Sequence, residues 1–144
     1  MDKRYSFFSR GNIDCTAVTD EYKGILTPYD LYEALSEIWC EYTCAPRLRD
    51  KWSKENITCG QCSVTAFLVQ DIFGGRVYGV PLQEGNFHCY NVIGDCIIDL
   101  TSEQFGDEKL TYDFNHEQFR EDHFSSEEKK ARYELLKKKL EDVL

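Results

Sequence analysis

The segment that most constrains this chain is Cys62-Ser63-Val64-Thr65-Ala66-Phe67-Leu68-Val69-Gln70-Asp71-Ile72-Phe73. Its apolar residues leave almost no polar stripe, so a helix over 62–73 must be covered on nearly every side. Gly74-Gly75 ends it. The loop Thr58-Cys59-Gly60-Gln61 delivers Cys62 to its first turn. A thiol there feels the positive end of the helix dipole and N–H groups with no intrahelical partner. Both lower its pKa and favour thiolate, the nucleophilic form. The rest of the chain has to cover this helix and supply any group that works with the thiol.

Two further helices and three strands are predicted. Thr27 is a good N-cap, Pro28 suits the first helical position, and Asp30 lies in the favourable first turn. Leu31, Ala34, Leu35, Ile38, Trp39 and Tyr42 then form one apolar stripe, predicting an amphipathic helix over 27–43. The linker 46–61, with Trp52 and Asn56, is ordered by packing alone. Strands are predicted over 76–82, 86–93 and 96–100. Gly79 and Pro81 assign the first to a sheet edge. Gly94-Asp95 joins the other two as a two-residue hairpin turn with Gly first, the II′ pattern. Residues 101–105 read as a helical turn, while 106–124 have no readable element. A capping box of Ser125 and Glu128 opens a last helix to Val143, with Ala131, Leu135, Leu136, Leu140 and Val143 inward. The order α-α-β-β-β-α predicts an α+β fold in one domain, 1–144. Within it, 1–25 is an irregular N-terminal segment in which Tyr5, Phe7 and Phe8 can pack on the body and Arg10-Gly11-Asn12 turns.

A net charge of −9 argues against nucleic acid and anionic membrane surfaces as partners. No apolar run approaches the ~20 residues of a membrane span. The N-terminus leads into no apolar signal segment, so a soluble, cytoplasmic protein is expected. Seven cysteines in such a chain are expected as reduced thiols, mostly small buried apolar residues.

The hairpin brings chemistry to the thiol. A two-residue turn pairs Ile93 with Cys96 and Tyr90 with Asp99, so His88, Tyr90, Val92, Ile97 and Asp99 share one face. Cys89, Asn91, Ile93, Cys96 and Ile98 take the other. His88 and Asp99 are diagonal neighbours, within side-chain reach. A three-residue loop would separate them. A nucleophilic cysteine needs a base, and the base needs a third group to fix its tautomer. Cys62, His88 and Asp99 fill these roles. The Cys62 N–H is an oxyanion donor and the Gln61 amide a second. Asn91 is a rival orienter of opposite parity, and Tyr90 walls the site.

Each residue also has an ordinary reading: Cys62 as core, His88 as a satisfied buried polar group, Asp99 as a turn acid ahead of Thr101-Ser102. Cys59-x-x-Cys62 with Cys89 and Cys96 is a zinc alternative, weakened by the lack of a second knuckle. Cys59-x-x-Cys62 is also a redox-pair alternative, with a protective disulfide left open. His116 and His123 have no metal spacing and are expected exposed or capping. Neither cofactor nor metal is called for. A non-enzymatic binding or regulatory domain is the alternative to an enzyme, with Trp39, Trp52, Phe87 and Tyr90 covering the thiol.

The motifs G-Q-C-x-x-T-A at 60–66, Gly74-Gly75, His88-x-x-Asn91 and Asp99-Leu100-Thr101-x-x-Gln104-Phe105 together resemble the YunG-like family of small bacterial proteins. The helix with Trp39 and Thr43 and the closing Arg132-Tyr133-x-x-Leu136 are also similar. The resemblance implies a papain/transglutaminase-like core over 26–144, a buried Cys helix packed on a small antiparallel sheet, plus a C-terminal helix. It carries Cys, His and Asp roles to Cys62, His88 and Asp99. Papain-like enzymes keep their oxyanion Gln several residues before the Cys, whereas Gln61 is adjacent. The expected activity is thiol-dependent acyl transfer on an unspecified peptide, amide, ester or small molecule.

Overall fold

Thr27 opens the first helix of the computed structural model, which describes residues 7–11, 15–82, 85–106, 110–113 and 116–144. Thr27 Oγ1 accepts from the Asp30 N–H, and Asp30 Oδ2 accepts from the Thr27 N–H. This reciprocal cap contributes about 1 kcal/mol. The helix, α1, runs Pro28–Ile38 and buries Leu31, Tyr32, Leu35 and Ile38. It is shorter than the apolar stripe predicts. The chain turns extended at Trp39, ψ 132, and Thr43 Oγ1 takes the Cys40 N–H at 3.0 Å. Tyr42 therefore leaves the helix and is 61% exposed. The linker that follows is not structureless: Pro46–Lys51 forms a 3-10 helix, and Trp52 Nε1 donates to Ile57 O at 2.9 Å.

The apolar helix α2 spans Cys62–Phe73, as its composition requires, with eight residues from Val64 to Phe73 buried. Burying each large aliphatic or Phe side chain contributes roughly 1.5–3 kcal/mol. Gly75, φ +81, then brings the chain against β-structure so closely that a Cβ there would lie 2.3 Å from Val92 O. The Val18 N–H donates to Ile72 O at 2.7 Å, satisfying one of the helix-end carbonyls.

The sheet is antiparallel and five-stranded. In chain order its strands are β1 (Phe8–Arg10), β2 (Arg76–Pro81), β3 (Phe87–Ile93), β4 (Cys96–Asp99) and β5 (Glu117–Gln118). The spatial order is β1-β4-β3-β2-β5. The turn is the two-residue one: Ile93 pairs with Cys96, and Gly94 has φ 58. Two strands were not legible in the sequence. β1 pairs along β4, with Phe8 opposite Asp99, so part of the expected irregular segment is sheet. Tyr5 and Asn12 lie outside the described residues. β5 pairs with Val77 and Tyr78, so β2 is covered there and is not the edge predicted. The described part of 106–124 also holds a one-turn helix, α3 (Arg120–His123).

The last helix, α4 (Glu127–Val143), starts one residue later than the sequence suggests. Ser126 accepts from the Lys129 N–H, while Ser125 Oγ donates to Asp122 O. The buried face is Arg132, Tyr133, Leu136 and Leu140, while Ala131 and Val143, expected inward, are exposed. Buried Arg132 donates to Thr43 O at 3.2 Å and pairs with Glu128.

Helices α1, α2 and α4 share a core with Cys89, Cys96 and Ile98 from one sheet face. The opposite face carries Val80, Tyr90, Ile97 and Tyr112. The architecture is α+β. Among the described residues, no helix is long and apolar enough to cross a membrane.

Candidate active site

Gly60, φ +70, turns the chain into α2 at a point where a Cβ would lie 2.5 Å from Cys44 Sγ. Only glycine fits that approach without strain. Gln61 follows as the N-cap residue, fully buried. Its Nε2 donates to Cys40 O at 2.9 Å, and its side chain makes no cap bond. Gln61 thus ties the loop to the end of α1, with one of its amide hydrogens given to Cys40 O. Cys62 is the first helical residue, half-buried, with the free N–H groups of the first turn around it.

His88 and Asp99 meet as the hairpin register predicts. Nε2 lies 2.6 Å from Oδ2, and both side chains are 1% exposed. Asp99 also accepts from the Thr101 N–H and Oγ1 and from Tyr112 Oη at 2.8 Å. The Phe105 ring stands edge-on to the imidazole at 4.6 Å. His88 Nδ1 is buried and closes no hydrogen bond.

The two faces of the sheet come together at the start of β3. The β3–β4 pairs run from Ile93↔Cys96 to Asn91↔Ile98, leaving Phe87, His88 and Cys89 beyond the last of them. A cleft of about 1000 Å³ opens there, with Cys62, His88, Cys89, Phe105 and His123 on its walls. Cys62 Sγ approaches Phe87 O at 4.0 Å. The thiol is held well below its ordinary pKa. The Cys89 side chain is the largest cause, burial opposes it, and the nearby His88 imidazole adds to it. The His88 imidazole is pushed up to about 10. Burial alone would lower it; the Asp99 charge and hydrogen bond, then Cys62, outweigh that. The arrangement favours a thiolate beside an imidazolium.

Other candidate residues fall elsewhere. Asn91 faces α2 and donates to Ala66 O at 2.8 Å, fastening helix to strand rather than orienting His88. Tyr90 is buried behind Tyr112, ring centroids 4.7 Å apart, and is not on the cleft wall. Trp39 donates to Thr65 Oγ1 within the core, and of the four predicted aromatics only Phe87 lines the cleft. Cys59 is buried, and the thiol that acts on it is Cys44 rather than Cys62. Among the described residues, no three His, Cys, Asp or Glu side chains converge to hold a metal.

Three participants were missed. Tyr112 lies in a stretch with no periodicity, and Cys89 was assigned to the opposite face from His88 without a view of the strand end. His123, expected exposed, is buried at 7% exposure against Phe67, ring centroids 4.6 Å apart. Its Nε2 is buried without a partner, and burial pushes its pKa down to about 4, aided by Lys129 and Arg132. The only sequence signal was its place among Phe119, Phe124 and Tyr133.

The fold and site define a class: an α+β domain that sets a helix-start cysteine beside a buried His–Asp pair at the end of an antiparallel sheet. The chain belongs to the YunG family, whose model, described as YunG protein, matches residues 27–144. Over 71 residues it is 39% identical to "Uncharacterized protein YunG" of Bacillus subtilis (strain 168). That alignment covers 49% of this chain and 56% of the relative, a little over half its length. No solved structure matches the chain.

Proposed function

We propose that this protein performs thiol-dependent acyl transfer with Cys62 as nucleophile, His88 as acid and base, and Asp99 as the group that orients His88. One observation carries the reading: a buried imidazole with Nε2 fixed on Asp99 at 2.6 Å and Nδ1 uncommitted, in a cleft shared with a thiol of lowered pKa. Asp99 fixes the tautomer and sends proton traffic through Nδ1. The Cys62 thiolate attacks an amide or ester carbonyl. The tetrahedral oxyanion accepts from the Cys62 N–H at the helix start. His88 gives its Nδ1 proton to the leaving amine or alcohol, and a thioester remains. Water or an amine, deprotonated by Nδ1, then releases the acyl group. Hydrolysis, deamidation and transamidation share this intermediate. A papain/transglutaminase-like core is the matching fold proposal, supported by a helix-start Cys with His and Asp on adjacent antiparallel strands.

The second reading is a binding domain that keeps the geometry without the reaction. The observation that favours it is the saturation of Asp99, whose hydrogen bonds join β3, β4 and residues 101 and 112 whether or not chemistry occurs.

Acylation by p-nitrophenyl acetate separates the two. The expected result is one acetyl group on Cys62, lost in His88→Ala. Wild-type protein that neither carries the acetyl group on Cys62 nor releases p-nitrophenolate faster than His88→Ala contradicts the catalytic reading.

A further inference from the structure

Cys62 has a second thiol at hand, and it is not the one its C-x-x-C spacing suggests. Cys89 stands on the α2-facing side of β3, buried at 6% exposure, and shares the cleft wall with Cys62. Cys62 Sγ lies 4.0 Å from Phe87 O, two residues before Cys89 on the same strand, and the Cys89 thiol is the strongest influence on the Cys62 thiol. The other half of the motif, Cys59, is turned to Cys44 across Gly60. The α2–β3 seam is further fastened by Asn91. The two thiols thus face one cleft from fixed elements, one at a helix start packed on the core that holds the other within a strand.

We infer that Cys89 is a resolving cysteine for Cys62, so that a hydroperoxide converts the pair to a Cys62–Cys89 disulfide and reversibly switches the nucleophile off. The inference rests on the reading of Cys62 as the site thiolate. It concerns regulation of that site, and its oxidant is a hydroperoxide, ROOH. The Cys62 thiolate attacks the terminal peroxide oxygen. An S–O bond forms, the O–O bond breaks, and the alkoxide leaves as ROH with the proton of the His88 imidazolium. Cys62 is now a sulfenic acid. Cys89 sulfur attacks the Cys62 sulfur, the S–O bond breaks, and hydroxide leaves as water with the Cys89 proton. Two thiols have lost two electrons and one peroxide has become one alcohol and one water. The contrast between the thiols suits the roles. Cys62 is lowered and is the attacker, while its neighbour Cys89 is raised and stays S–H until a sulfenic acid appears. Without Cys89, further oxidation would carry Cys62 to the irreversible sulfinic acid.

The test uses the full reduced chain. Iodoacetamide labelling first establishes that Cys62 is reactive. Hydrogen peroxide is then added, free thiols are blocked, and peptides are mapped without reduction. The expected result is a linked pair of Cys62 and Cys89 peptides and loss of Cys62 labelling, restored by dithiothreitol. Cys59→Ser still forms the link, and Cys89→Ser gives sulfinic acid at Cys62. Should Cys89→Ser fail to fold, the wild-type and Cys59→Ser maps decide alone. A Cys59–Cys62 link, or sulfinic acid at Cys62 with Cys89 still free, overturns the inference while leaving the acyl-transfer reading intact. A Cys62 that resists iodoacetamide before any peroxide is added overturns both.

Discussion

His88 and Asp99, eleven residues apart in sequence, are joined Nε2 to Oδ2 at 2.6 Å with both side chains buried. The contact exists because a two-residue turn at Gly94-Asp95 keeps the residues in phase. One added residue there would place them on opposite faces.

The first prediction concerns that charge. Asp99→Asn removes the influence that outweighs burial at His88, so the imidazolium beside Cys62 is lost and the thiol pKa rises. Below that pKa each unit of rise slows thiolate labelling about tenfold. Iodoacetamide labelling of Cys62 at about pH 6, half a unit under the ordinary histidine pKa, is expected to fall tenfold or more in Asp99→Asn. Urea unfolding checks that the variant is native, and unchanged labelling there contradicts the assignment.

The cysteines themselves form a second test. Burial pushes the Cys44 and Cys96 thiols up to about 11 and raises Cys59 as well. Mass mapping after brief labelling at neutral pH is expected to find adducts at Cys62 well ahead of these three. Early adducts at Cys59 would instead favour the C-x-x-C redox reading.

Two histidines give opposite pH signatures. His123 is lowered to about 4. The unfolded chain therefore binds its proton first as pH falls below about 6.5. Stability from neutral His123 is full above that value and declines toward pH 4 at about 1.4 kcal/mol per unit. His88 is raised to about 10. Its contribution is full below about 6.5 and is lost as pH rises through 10. Urea midpoints against pH are expected to show a shallower acid slope in His123→Phe, with its alkaline limb unchanged. Equal acid slopes would contradict a buried neutral His123.

Asn91 separates anchoring from chemistry. Its Nδ2 bond to Ala66 O is buried, and Asn91→Leu removes it while the helix keeps its own bond to that carbonyl, at a cost of about 0.5–1.5 kcal/mol. Unfolding is expected to shift by that amount while the pH midpoint of Cys62 labelling stays put. A shifted labelling midpoint would return Asn91 to the role of orienter.

Much of the site was legible because it rests on short-range rules. A mostly apolar twelve-residue run ahead of Gly74-Gly75 fixes the limits of α2, and period-two alternation about a two-residue turn puts His88 with Asp99. What the sequence did not disclose depends on long-range contact. Phe8 finds Asp99 across 91 residues of chain, Glu117 finds Tyr78, and neither short strand has a periodicity of its own. The ends of α1 and α4 were misread because Thr43 and Ser126 took N–H groups assigned to other partners. Gln61 has the right chemistry for an oxyanion donor, but its orientation is set by Cys40 O, which local sequence does not reveal.

The central claim is that His88 activates Cys62. It is tested most directly by the pH dependence of iodoacetamide alkylation at Cys62 in wild-type protein and in His88→Ala. The account predicts that Cys62 labels fastest, with an apparent pKa below the ~8.5 of a free thiol, and that His88→Ala raises it. Labelling of Cys62 no faster than Cys40 or Cys96 above neutral pH, or a midpoint that ignores His88→Ala, would contradict it.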